Sequence, residues 1–148
     1  MSIDVTVQDE APTPHNPSDT QFEQWVDKAL ANIADAPHSG EITIKIIDEE
    51  ESAVLNQTFR EKDGPTNVLS FPYDNPGDFF MGDIAICANL VAKEAQDQDK
   101  SIEAHWAHLV VHGVLHLMGY DHIEESDAKT MERLEIDVLS SLGYENPY

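Results

Sequence analysis

The sequence is poor in cysteine. Cys87 is the single one among 148 residues, so an intramolecular disulfide and a thiolate-rich zinc cluster are both excluded. Its expected role is that of a small core residue. Basic residues are scarce as well: eight Lys and Arg stand against 29 Asp and Glu, for a net charge of -21. Broad, non-specific binding to nucleic acid needs Lys and Arg to neutralise phosphates, so it is excluded, and no DNA partner is expected. A nucleic acid held at one local positive site stays open. No apolar run is long enough to cross a bilayer, and Met1 to His15 has neither the basic start nor the apolar core of a signal peptide. A cytoplasmic, reducing setting with no membrane partner is expected. Fixed-period repeats and low-complexity tracts are also missing. With 41% apolar residues, the chain 1–148 suits a single domain with a real core.

The patterning that is present divides the chain. Ile3, Val5 and Val7 alternate with polar residues and predict a strand. Residues 9–17 carry Pro12, Pro14 and Pro17 and read as a loop. Ser18 and Gln21 form a capping box, ahead of a helix whose Phe22, Trp25, Val26, Ala29, Leu30 and Ile33 share one face. Ile42, Ile44 and Ile46 predict a second strand. A short helix is expected from about Glu49 to Phe59, burying Val54, Leu55 and Phe59. Arg60 to Asn67 has turn chemistry. Val68 to Phe71 reads as a strand stopped by Pro72, Asp74 to Asp78 as a turn, and Ile84 to Cys87 as a short buried strand. Helices are expected over about Ala88–Asp99, Ser101–Met118 and Ser126–Leu142. Strands early and helices late suggest an α+β fold: a small mixed sheet packed with several helices.

The chemistry concentrates in HWAHLVVHGVLHLMGYDH, His105 to His122. His112 and His116 are four residues apart, so a helix projects both from one face toward a single ion. Gly119 can take the left-handed conformation that ends the helix, and the turn can return His122 to the same point. Three neutral imidazoles with an open fourth position make a common zinc site, although nickel, copper and iron accept the same ligands. His105 and His108, near this face, are read as packing or supporting residues, and His15 and His38 as exposed loop residues. The spacing matches the H-E-x-x-H-x-x-G-x-x-H pattern of metzincin-type zinc peptidases, except that Gly113 replaces the Glu. That Glu is the general base in the peptidases, so its absence argues against peptide hydrolysis. Asp121 is placed to orient an imidazole, and no acid can be singled out as the base. Arg60 and Lys62 are the closest pair of cations. An Arg suits bidentate phosphate contact and could offset transition-state charge beside a metal; an ordinary surface salt bridge is the alternative.

These residues also resemble a known family. The blocks LNQTFREKDGPTNVLSFP (Leu55 to Pro72), GDIAIC (Gly82 to Cys87), EAHWAHLVVHGVLHLMGYDH (Glu103 to His122) and the closing LGYENPY are similar to the YbeY family of bacterial endoribonucleases and rRNA maturation factors. The resemblance is clear over the last two-thirds of the chain and looser before Ile42. It implies a small α+β domain with a zincin-like metal-binding helix and one zinc ion on His112, His116 and His122. The family's functional arginine corresponds to Arg60. The implied activity is metal-dependent cleavage of single-stranded RNA, in 3′-end maturation of 16S rRNA and ribosome quality control. Small-subunit components and an assembly GTPase are the implied partners. Asn67 and Ser70 are candidates for further hydrogen bonds to substrate. Two rivals remain: a zinc hydrolase of another class, metallopeptidase-like, and a non-catalytic assembly factor stabilised by zinc.

Overall fold

Apolar alternation in the first half of the chain produces strands. The computed structural model describes residues 3–34, 36–73, 79–120 and 124–148. Strands β1 (Ile3–Asp9), β2 (Ser39–Ile47), β3 (Val68–Pro72) and β4 (Phe79–Cys87) form one sheet of order β1-β2-β4-β3. β1 and β4 each run parallel to β2, while β3 pairs antiparallel to β4 at the sheet edge. Helices α1 (Asp19–Ala31), α2 (Glu49–Arg60), α3 (Ala88–Asp97), α4 (Ile102–Leu117) and α5 (Glu125–Ser141) complete the described residues. The mixed sheet and accompanying helices are the α+β arrangement expected.

Period-two alternation gives the sheet two faces. Ile42, Ile44, Ile46, Ile84 and Ile86 pack into the main core with side chains of α1, α3, α4 and α5. Phe22 anchors that core, set edge-on to both Trp25 and Trp106 at centroid distances of 5.7 and 5.8 Å. Burying one such ring stabilises by roughly 1.5–3 kcal/mol. The opposite face is thinner: Ile47, Leu69 and Ala85 are covered by Leu55 of α2 and by Phe71. The Ser18 capping box that starts α1 forms as the sequence predicts.

α4 is the central helix. It buries His105, Trp106, Ala107, Leu109, Val110, Val111, Gly113, Val114, Leu115 and Leu117, so it is apolar over most of its circumference. It also lies close to the sheet. A Cβ on Gly113 would meet Ile84 Cγ2 at 2.9 Å, and one on Gly82 would meet Leu117 Cδ2 at 2.9 Å. After Leu117 the chain turns through Gly119 at φ +96°. The Gly119 amide donates to His116 O and the Tyr120 amide to Leu115 O. This pair of bonds is the Schellman ending, which needs the left-handed residue that glycine supplies.

Two expectations are corrected. β4 begins at Phe79, five residues before Ile84, because β2 and β3 extend it by pairing Ser39 with Phe79 and Pro72 with Gly82; the local sequence FFMGD shows no such period. α2 does not bury Val54 and Phe59, which are 58% and 59% exposed. Its buried residues are Ser52 and Asn56, which tie down the following loop: Ser52 Oγ donates to Thr66 O and accepts from the Thr66 amide, and Asn56 Nδ2 donates to Gly64 O. Arg60 therefore closes α2 rather than opening a turn. The turn expected at Asp74 to Asp78 lies outside the described residues.

Candidate active site

The histidines of α4 are gathered on one line. His105, His108, His112 and His116 follow one another at helical spacing, and adjacent rings stand edge to face at centroid distances of 6.1, 6.3 and 4.7 Å. The closest pair is His112 and His116, the two expected metal ligands on the helix. Both line a cleft of about 640 Å³ between α4, the edge strand β3 and the end of α2. The third expected ligand, His122, and its neighbour Asp121 lie outside the described residues. The donor chemistry of His112 and His116, two imidazoles one turn apart, fits a zinc-type ion.

Arg60 lines the same cleft, with Lys62, Asn67 and Ser70. Its exposed position at the end of α2 points away from the salt-bridge alternative: among the described residues it makes no ion pair. The electrostatics are equally local. The molecule carries a large acidic excess, yet the described lining of this cleft includes two cations and no Asp or Glu. Asn67 and Ser70 are already engaged within the protein, Asn67 Nδ2 donating to Glu94 Oε1 at 3.0 Å and Ser70 Oγ to Gly113 O at 3.2 Å.

Sequence reasoning missed two carboxylates. Glu135 of α5 is buried (1% exposed) and collects three hydrogen bonds. His108 Nε2 donates to it at 2.6 Å, His112 Nδ1 at 3.3 Å and the Tyr148 hydroxyl at 2.8 Å. Burial alone would raise its carboxyl, but the bonds from the two histidines overturn that and hold it at about 2. The tail that brings Tyr148 there is pinned by Lys100 Nζ donating to Pro147 O at 2.8 Å, and the Tyr148 ring stands edge-on to His108. Glu94 of α3 does similar work for His105, accepting from its Nε2 at 2.8 Å. His105 and His108 are thus supporting residues, as the sequence reading has it. The Nδ1 atoms of both are buried, and among the described residues nothing bonds them. With the proton on Nε2 they remain bare acceptors, which costs less than an orphaned N–H. A signal for Glu135 was present: Met131, Val138 and Leu139, at offsets −4, +3 and +4, are buried, and an acid on an apolar stripe needs a partner.

Gly113 explains the missing peptidase glutamate. The position faces Ile84 across the α4–β4 contact, where even a Cβ is too close. A Glu there would enter the core instead of the cleft. Elsewhere the expectations for single residues hold: His15 and His38 are exposed and Cys87 is buried.

Comparison with known proteins gives the family and the fold. The family model described as endoribonuclease YbeY matches residues 5–143. A protein from Methylococcus capsulatus named endoribonuclease YbeY is 52% identical over 99% of this chain and 95% of its own length. One of the same name from Coxiella burnetii is 53% identical over 99% of this chain and 98% of its own. The solution structure of TM1509 from Thermotoga maritima superposes with a TM-score of 0.57 at 24% identity, covering 95% of this chain and 91% of that one, and so shares the fold. The chain belongs to the endoribonuclease YbeY family.

Proposed function

We propose that the α4–β3 cleft hydrolyses phosphodiester bonds of single-stranded RNA, in 3′-end maturation of 16S rRNA and in ribosome quality control, with the chain 1–148 acting as one domain. RNA hydrolysis follows from membership of an endoribonuclease family. The ribosomal assignment, with small-subunit components and an assembly GTPase as partners, rests on the family resemblance. The observation that carries the reading is Arg60 and Lys62 lining the same cleft as His112 and His116, with no acidic residue in its described lining. In so acidic a molecule such a lining spares an entering phosphate local repulsion.

In this reading His112, His116 and His122 hold one zinc ion, and Arg60 is the catalytic residue that grips the phosphate. Bound there, zinc supplies Lewis-acid chemistry. Arg60 offers a planar fork of N–H donors to the non-bridging oxygens and offsets the charge that builds up on phosphorus. Glu135 holds His112 in orientation: accepting from Nδ1–H places the imidazole lone pair on Nε2, the nitrogen that would bind the metal. A recessed cleft receives an unpaired strand more readily than a duplex, whose backbone is held on a wide cylinder. The peptidase reading is disfavoured by the packing of Gly113 against Ile84.

The test is an RNA cleavage assay on zinc-loaded protein freed of contaminating nucleases. Arg60→Ala should fold normally, because the side chain is exposed, and lose about 10²–10³-fold in kcat. His116→Ala should lose both zinc and cleavage. A folded Arg60→Ala protein that cleaves like wild type would remove Arg60 from the catalytic role, and zinc-loaded wild type that cleaves no RNA would favour the non-catalytic assembly factor.

A further inference from the structure

The face of the sheet carrying α2 holds a second groove of about 560 Å³, running along the side of that helix that bears Glu51, Leu55 and Phe59. It is walled by Phe59, Phe71 and Tyr73, with Lys45 and Arg60 at its sides. Phe59 and Tyr73 are 59% and 47% exposed, and Phe59 leans on Phe71 with centroids 5.0 Å apart at 66°. Large aromatics left in water side by side call for an explanation. The groove is not isolated: Arg60, Ser70 and Pro72 line both it and the histidine cleft. β3 is the ridge between them. Ser70 donates across one side to α4, and Phe71 packs on the other side with Leu55.

We propose that this groove is a nucleobase subsite, in which a base flanking the scissile phosphate stacks on Phe59 and Phe71 while its own phosphate lies against Lys45 and Arg60. The inference rests on the reading that the histidine cleft hydrolyses RNA. Three features favour an RNA base as occupant: continuity with that cleft through a shared arginine, an aromatic platform suited to any base face, and cations at its rim. Alternating aromatic platforms and basic side chains are the usual physics of single-strand binding. Glu51 and Asp83 also line the groove, Asp83 accepting the Tyr73 hydroxyl, so cations and carboxylates balance here and the aromatic platform is the main source of affinity.

The experiment compares zinc-loaded wild type, Phe59→Ala and Phe59→Trp. It measures affinity for a labelled single-stranded oligoribonucleotide by fluorescence anisotropy, and KM and kcat for its cleavage. The same RNA is also prepared with one abasic nucleotide moved stepwise past the cleavage position. For wild type, one abasic position should weaken binding about 5–100-fold. Phe59→Ala should weaken binding of the intact RNA by a similar factor, raise KM, leave kcat within about twofold, and add no further loss on that abasic RNA. Phe59→Trp should bind at least as tightly as wild type. Unchanged thermal melting establishes that the exposed substitution acts locally. The subsite is overturned if Phe59→Ala binds RNA like wild type, or if its loss multiplies with that of every abasic position. It is equally overturned if the variant keeps its RNA affinity and loses only binding to a small-subunit protein. Phe59-dependent binding in protein that cleaves no RNA would sink the hydrolysis reading and leave the subsite standing.

Discussion

Glu135 Oε2 lies 3.3 Å from His112 Nδ1, joining α5 to a proposed metal ligand on α4. A carboxylate that accepts at one imidazole nitrogen fixes the ring and raises the basicity of the other. Glu135→Gln keeps the volume and an acceptor for Tyr148, but removes the charge. Zinc affinity, measured by competition with a chromogenic chelator, should fall about 10–100-fold, while the circular dichroism spectrum is retained. Equal affinity in the two proteins would show that His112 needs no such support.

Gly113→Ala should destabilise the protein although alanine favours a helix over glycine by about 1 kcal/mol. The added methyl meets Ile84 Cγ2 at 2.9 Å, and both Gly113 and Ile84 are buried. Overpacking of this kind costs about 1–3 kcal/mol, so the urea midpoint should fall. Gly113→Glu, which recreates the peptidase motif, should unfold the protein rather than confer peptide hydrolysis. A stable, peptidase-active variant would contradict the packing argument.

Asn56→Ala should act at a distance. It leaves Gly64 O without its donor; Gly64 is exposed, so the cost is about 0.5–1.5 kcal/mol, and the loop that carries Lys62 is loosened. The measurable result is a lower melting temperature together with a raised KM for RNA. An unchanged KM would mean that the loop does not position the cations of the cleft.

Glu94 sets an acid dependence. Burial acts to raise its carboxyl, but hydrogen bonds from His105 and Asn67 outweigh that and leave it below the ordinary 4.5. The unfolded chain then takes up this proton more readily than the folded one. The stability Glu94 contributes is therefore complete above about 4.5 and disappears as pH falls through the lower folded value. Glu94→Gln should lose stability at neutral pH and show a flatter decline in acid. The check is urea denaturation across that range, where parallel curves for the two proteins would rule the assignment out.

What the sequence made legible follows from how local each signal is. The α1 capping box, the isoleucine alternation of β2 and the Gly119 helix ending depend on neighbours within a few residues, and all three form as read. The pairing of His112 and His116, the proposed ligands, is equally local, since one helical turn brings the rings together. α2 was misread because its hydrophobic residues suggested a buried face, whereas the helix is anchored by Ser52 and Asn56 to backbone eight to fourteen residues away. The start of β4 depends on partners in β2 and β3 that no short window contains. Glu135 escaped notice because its meaning lies in α4, 23 residues back along the chain from it. The position of Arg60 beside the histidines needed the whole sheet.

A last consequence concerns β3, whose five residues separate the two grooves. Side chains of a strand point alternately to opposite faces, so a shift by a single position exchanges them all. One residue inserted ahead of Ser70 would aim aromatic rings toward the histidines and hydroxyl chemistry toward the α2 side. Length in this segment is consequently as tightly constrained as identity: a deletion here disables both grooves together, where substitution of Val68 or of Phe71, each lining a single groove, impairs one.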